Sequence, residues 1–173
     1  MSFLGDAVEV SGNEITVTGG TIEEGVYGGL AQLGGNASGN TVTISGGTIN
    51  KYVYGGSADS GTASNNTVNI YGGTFKSDTR LYGGFSDDSS GNTLNFYTKG
   101  ITVDKLGYFQ NLSFYVPEDT TAGETILTVT STADVSGASI RASVYDSMKM
   151  SPGDTITLID GRSALQLRTQ TMA

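Results

Sequence analysis

The side chains with chemical potential in this sequence are acids and phenols. Glu23-Glu24, Asp87-Asp88 and Glu118-Asp119 set carboxyls side by side. Paired carboxyls cleave glycosidic bonds when they stand about 5 to 10 Å apart across the bond. Neighbours in a strand point to opposite faces, so these pairs belong to turns, and none recurs in an adjoining repeat. They read as solvated turn charges. Ala58-Asp59-Ser60-Gly61 resembles a serine nucleophile loop, but the chain has no histidine and no cysteine. The base a serine needs, a thiol nucleophile and the usual zinc ligands are therefore missing. Calcium at Asp87 and Asp88 would lack the glycine-aspartate nonapeptide of calcium-binding solenoids. No catalytic residue, cofactor or metal ligand is assigned, and the chain reads as non-enzymatic.

The phenols are more regular. Tyr71, Tyr97 and Tyr115 occupy the same outward position in three successive copies of a repeated segment, beside the polar outward positions Asn69 and Asn95. A row of flat rings with hydroxyls can stack on a sugar or on a partner's side chains; the competing reading is that the rings stack on one another and stabilise the sheet. These five residues are the candidate partner or glycan-binding face. Tyr27, Tyr54 and Tyr82 recur in every long copy and are assigned a structural role, packing over the glycine pair that follows each of them.

The elements that position these residues follow from the repeat. GNEITVTGGTI (residues 12–22), GNTVTISGGTI (39–49) and NNTVNIYGGTF (65–75) are variants of one another, and GNTLNFYTKGI begins a fourth copy at residue 91. Asn13, Asn40, Asn66 and Asn92 lie 27, 26 and 26 residues apart, the period of stacked supersecondary units. A second marker, VYGG or LYGG, closes each long copy. Within the first segment apolar and polar residues alternate, the signature of a strand with one buried face. Ile15, Val42, Val68 and Leu94 form one inward ladder; Val17, Ile44, Ile70 and Phe96 form another. Such short strands bury little alone, but stacked in register about 4.8 Å apart they enclose a dry interior.

The expectation is an all-β, parallel β-solenoid, right-handed by analogy with other single-stranded β-helices, with long coils of about 26–28 residues and then shorter C-terminal coils. The asparagines are expected to stack as an amide ladder, and the paired glycines to turn the corners at positive φ. Residues 1–11 read as the remnant of a preceding coil, 12–90 as three long repeats, 91–161 as shorter coils serving as a folding template or cap, and 162–173 as a tail without period.

A net charge of −8 repels phosphates and disfavours nucleic acid as a partner. No apolar run approaches the ~18 residues of a spanning helix, and Phe3-Leu4 is too short for a signal peptide. With no cysteine, the redox compartment is left open.

The repeat GNTVTISGGT followed by VYGG, then LSFYVPEDTTAGETILTVT (112–130) and PGDTITLID (152–160), resembles the passenger region of bacterial autotransporter adhesins across about residues 12–160. The resemblance implies an exported, surface-displayed or secreted β-helical adhesin or stalk, with a host or bacterial glycan or protein as partner. It also implies that the parent protein is anchored through an outer-membrane barrel absent from this sequence. The alternatives are a carbohydrate-binding or carbohydrate-cleaving β-helix and a purely structural spacer. Open solenoid ends leave strand edges that invite self-association.

Overall fold

The repeat closes into a β-solenoid of about five turns, with no helix among the described residues. The computed structural model describes residues 8–161 and the strand Leu165–Arg168. Each long coil passes through three sheets. The first and smallest stacks Val10–Ser11, Ala37–Ser38, Thr62–Ser64 and Asp88–Ser90. The second contains Glu14–Ile22, Thr41–Ile49, Thr67–Ile70, Thr93–Phe96, Asn111–Tyr115 and Ser139–Ser143. The third contains Gly25–Tyr27, Tyr52–Ala58, Arg80–Phe85, Ile101–Gly107, Thr125–Ala133 and Thr155–Asp160.

Stacking is parallel and pairs like with like: Val42 with Val68 and Leu94, Ile44 with Ile70 and Phe96. All six of these side chains have no exposed surface, and Val53 and Leu81 of the third sheet meet them in one continuous core. Each such side chain contributes about 1.5–3 kcal/mol by leaving water. Ile15 is the exception among the expected inward residues. It remains 37% exposed because only one described coil stacks against its strand.

The amide ladder forms as the spacing predicts. The Asn13 amide nitrogen donates to Asn40 Oδ1 at 2.9 Å, Asn40 to Asn66 at 3.0 Å, and Asn66 to Asn92 at 3.1 Å. Each Oδ1 also accepts the backbone N–H of the preceding asparagine. The second amide hydrogen reaches across to a carbonyl of the smallest sheet: Val10 from Asn40, Ala37 from Asn66, Ala63 from Asn92. One column of side chains thus ties coil to coil and sheet to sheet. Gln110 ends it, accepting the Asn92 N–H at 2.9 Å through its longer side chain.

The two glycine pairs do different jobs, which corrects the expectation that both turn corners. Within the SGGT motif Gly47 does bend the strand at φ 85°. The glycines of VYGG instead lie beneath the amide ladder. A β-carbon on Gly29 would come within 2.5 Å of the Asn40 amide nitrogen, and one on Gly56 within 2.5 Å of that of Asn66. These glycines are required by close approach.

The contraction expected after residue 91 is confined to one coil. Asn92 meets Gln110 after 18 residues, whereas Asn111 pairs with Ser139 and restores a 28-residue spacing. After Asp88–Ser90 the smallest sheet has no further strand among the described residues, so the later coils rest on two sheets. The tail expected from residue 162 contains an element, Leu165–Arg168, which pairs antiparallel with Thr155–Asp160. A reversed strand ends the parallel stack at that edge. The remainder of that tail, and residues 1–7 of the expected remnant, lie outside the described residues.

Candidate functional site

Two groups of aromatic side chains cover the outside of the solenoid. On the second sheet, Tyr71, Tyr97 and Tyr115 stand in the expected row. Their rings stack with centroids 4.3 and 4.4 Å apart and planes within 3° and 7° of parallel. Tyr71 is half exposed and Tyr115 38% exposed. Asn69 and Asn95 run alongside as a second ladder, the Asn95 amide donating to Asn69 Oδ1 at 2.9 Å and the Asn69 amide to Thr43 Oγ1 at 3.3 Å. This geometry favours the stacking reading of the row. Rings this close cover each other's faces, so the row shows solvent its edges and hydroxyls. It is a sheet-stabilising stack, at about 0.5–1.5 kcal/mol for each ring pair beyond simple burial.

Tyr27, Tyr54 and Tyr82 sit on the outer side of the third sheet. They pack on one another, with Tyr54 and Tyr82 stacked at 5.5 Å and Tyr27 edge-on to Tyr54 at 5.1 Å. The expected packing over the glycine pairs is not what holds them, since asparagines occupy those positions. Tyr52 lies 5.4 Å from Tyr54 with Arg80 over its ring. Burial, then the neighbouring phenols Tyr27 and Tyr52, push the Tyr54 hydroxyl well above the ordinary tyrosine range. Burial first, and then the hydroxyls of Tyr71 and Tyr115, push Tyr97 up to about 12.

Both phenols therefore hold their protons more tightly in the folded chain than in the unfolded one. The stabilisation this represents is complete below pH ~10, the unperturbed value, and is lost as pH rises through about 12. In a spectrophotometric alkaline titration, Tyr54 and Tyr97 should ionise only as the chain unfolds, above pH ~10. A single transition near pH ~10 for all the tyrosines would contradict this.

Two residues that the sequence reading passed over complete the second cluster. Phe85 follows the third glycine pair and Tyr108 follows Gly107, and both rings are exposed, at 44% and 40%. Phe85 lies parallel to Tyr54 and Tyr82 at 5.5 and 5.9 Å, while Tyr108 stands edge-on to Tyr82 and Phe85. Tyr108 adopts φ 60°, a left-handed conformation uncommon for a bulky residue and of the kind that gathers at functional sites. Three adjoining concavities share Tyr108 as a wall. One of them is lined by Asp59, Phe85, Ser86 and Asp87, another by Lys105 and Asp134. The available signal was the residue after the first and third of these glycine pairs, where Leu30 and Phe85 are large and apolar.

Two of the acidic pairs make contacts between coils, whereas Asp87 lines the concavity beside Phe85. Glu24 pairs with Lys51 at 2.8 Å, and Glu23 accepts from the Asn50 amide. Asp119 and Glu124 share Lys99, and Glu118 accepts from Ser147. Asp59 of the serine-containing loop faces the Phe85 concavity, but no imidazole stands near it because the chain has none. Among the described residues, no group of three or more acidic, histidine or cysteine side chains is arranged to hold a metal ion. Comparison with family models, curated proteins and solved structures finds no match to this chain.

Proposed function

We propose that this chain is a non-enzymatic segment of a surface-exposed or secreted β-solenoid, of the autotransporter-passenger kind, that works as a rigid shaft carrying a glycan-binding groove. The groove around Tyr108 carries the reading. Exposed Phe85 and Tyr108 rings border one concavity whose other walls include Ser57, Ser86, Asp59 and Asp87. Sugars present apolar C–H faces flanked by hydroxyls, which match rings flanked by acceptors. A net charge of −8 disfavours sialylated or uronic polymers and favours a neutral glycan. The parallel stack, tied by asparagine and tyrosine ladders, supplies a stiff support.

The test is retention of the purified chain on immobilised neutral and acidic polysaccharides and on matrix proteins, with the eluate assayed for released sugar. Tyr108→Gly removes the ring where glycine accepts the backbone conformation, and Phe85→Ala removes the second ring. Each should lower affinity about tenfold, the equivalent of ~1.4 kcal/mol of ring contact. Tyr97→Ala should leave binding unchanged. Released oligosaccharide would replace this reading with a carbohydrate-cleaving one using Asp59 and Asp87. Retention on protein alone would replace the glycan with a protein partner, and no retention would reduce the chain to a spacer.

A further inference from the structure

The tyrosine row on the second sheet is built for a reaction of its own. We propose that Tyr71, Tyr97 and Tyr115 form an oxidative cross-linking site, at which a one-electron oxidant such as a haem peroxidase with hydrogen peroxide joins adjacent coils through a dityrosine bond. Three observations support this. The rings lie face to face at 4.3 and 4.4 Å, which sets the ring carbons next to each hydroxyl on one coil against those on the next. The outer two rings are accessible to an oxidant, with Tyr71 half exposed and Tyr115 38% exposed. The chain has neither cysteine nor tryptophan, so tyrosine is the side chain that most readily gives up a single electron, and no disulfide can join the coils.

The step balances. Each of two phenols loses an electron to the oxidant and a proton to water, and the resulting phenoxyl radicals couple through their ortho carbons. The hydrogen on each ortho carbon then leaves as a proton while each oxygen regains one. The product carries two hydrogens fewer, and one hydrogen peroxide is reduced to two waters. Stacked neighbours share the unpaired electron, which holds it in the row until a second oxidation occurs. The exposed edges leave room for the rings to tilt as the bond forms. In a solenoid, where each coil is held only by its neighbours, such a bond would staple coils that otherwise rely on non-covalent contact.

The second cluster supplies an internal comparison. Tyr54 is buried, meets Tyr27 edge-on and stacks on Tyr82 only at 5.5 Å, against 4.3 and 4.4 Å in the row, so the bond should not form there. The experiment treats the full chain, at a dilution that disfavours encounters between molecules, with a haem peroxidase and hydrogen peroxide. It follows dityrosine fluorescence and identifies joined peptides by mass. The expected result is an intramolecular cross-link lost in Tyr97→Phe, which keeps the ring and the stack, and retained in Tyr82→Phe. Tyr71→Phe should leave only the link between Tyr97 and Tyr115. Undiminished cross-linking in Tyr97→Phe, loss in Tyr82→Phe, exclusively intermolecular product or oxidation without dityrosine would each overturn the proposal.

Discussion

Replacing Asn66 by alanine should lower the stability of the fold by about 3–5 kcal/mol, seen as a fall in the midpoint of urea unfolding. Asn66 is fully buried at the middle of the amide ladder. Its Oδ1 accepts from both the backbone and the side chain of Asn40 at 3.0 Å, and its amide donates to Asn92 and to the Ala37 carbonyl. Alanine leaves the Asn40 N–H and the Ala37 carbonyl without these partners in the interior. Each buried group orphaned in this way costs about 1–3 kcal/mol. Asn66→Asp separates shape from hydrogen bonding. It keeps the acceptor but sets a carboxylate against two oxygens, so folding holds that carboxyl protonated. The penalty is absent below pH ~4, grows as pH rises from there and is complete above the raised value of the folded state, because the protonated acid can still donate one of the two hydrogen bonds that the amide made. A variant as stable as the original at neutral pH would show that the ladder is a consequence of stacking and not a cause.

The second large effect is expected at Gly55. A β-carbon there would strike the Gly83 carbonyl of the next coil and lie 2.9 Å from the Asn66 β-carbon. Neither neighbour can yield, since one is backbone and the other is locked in the ladder. Gly55→Ala should cost about 3 kcal/mol or more, at the upper end for overpacking. Gly39→Ala is the control. Gly39 sits at φ 62° with nothing within 4 Å of where its β-carbon would go. Only backbone strain of about 1–2 kcal/mol applies there. Asn65 supports that estimate, holding φ 54° at the equivalent corner without a glycine. Equal losses in the two variants would refute the distinction between glycines needed for approach and glycines needed for turning.

The coil was legible in the sequence because a solenoid repeats its environment. Once one copy alternates inward and outward, every copy must, and the positions of Val42, Val68 and Leu94 identify themselves by recurrence. The asparagine ladder was readable for the same reason: a polar residue that recurs just before a buried strand meets its own counterpart in the next coil. The tyrosine row was readable as a position, though not as a stack with covered faces, because pattern gives register and says nothing of how rings orient.

What broke the repeat was legible only in part. The shorter coil after residue 91 was expected, but its confinement to the single turn between Asn92 and Gln110 and the antiparallel strand Leu165–Arg168 depend on where the chain stops copying itself. The groove at Tyr108 escaped notice because its walls come from three different coils, at Asp59, Phe85 and Asp134. By itself the sequence determined the strands, their register, the buried ladders and the amide column, since each of these is a relation between equivalent positions. Only the tertiary structure decided which glycines lie beneath asparagines, which rings stack on one another and where a concave surface opens. Those depend on contacts between positions that are not equivalent, and repetition carries no information about them.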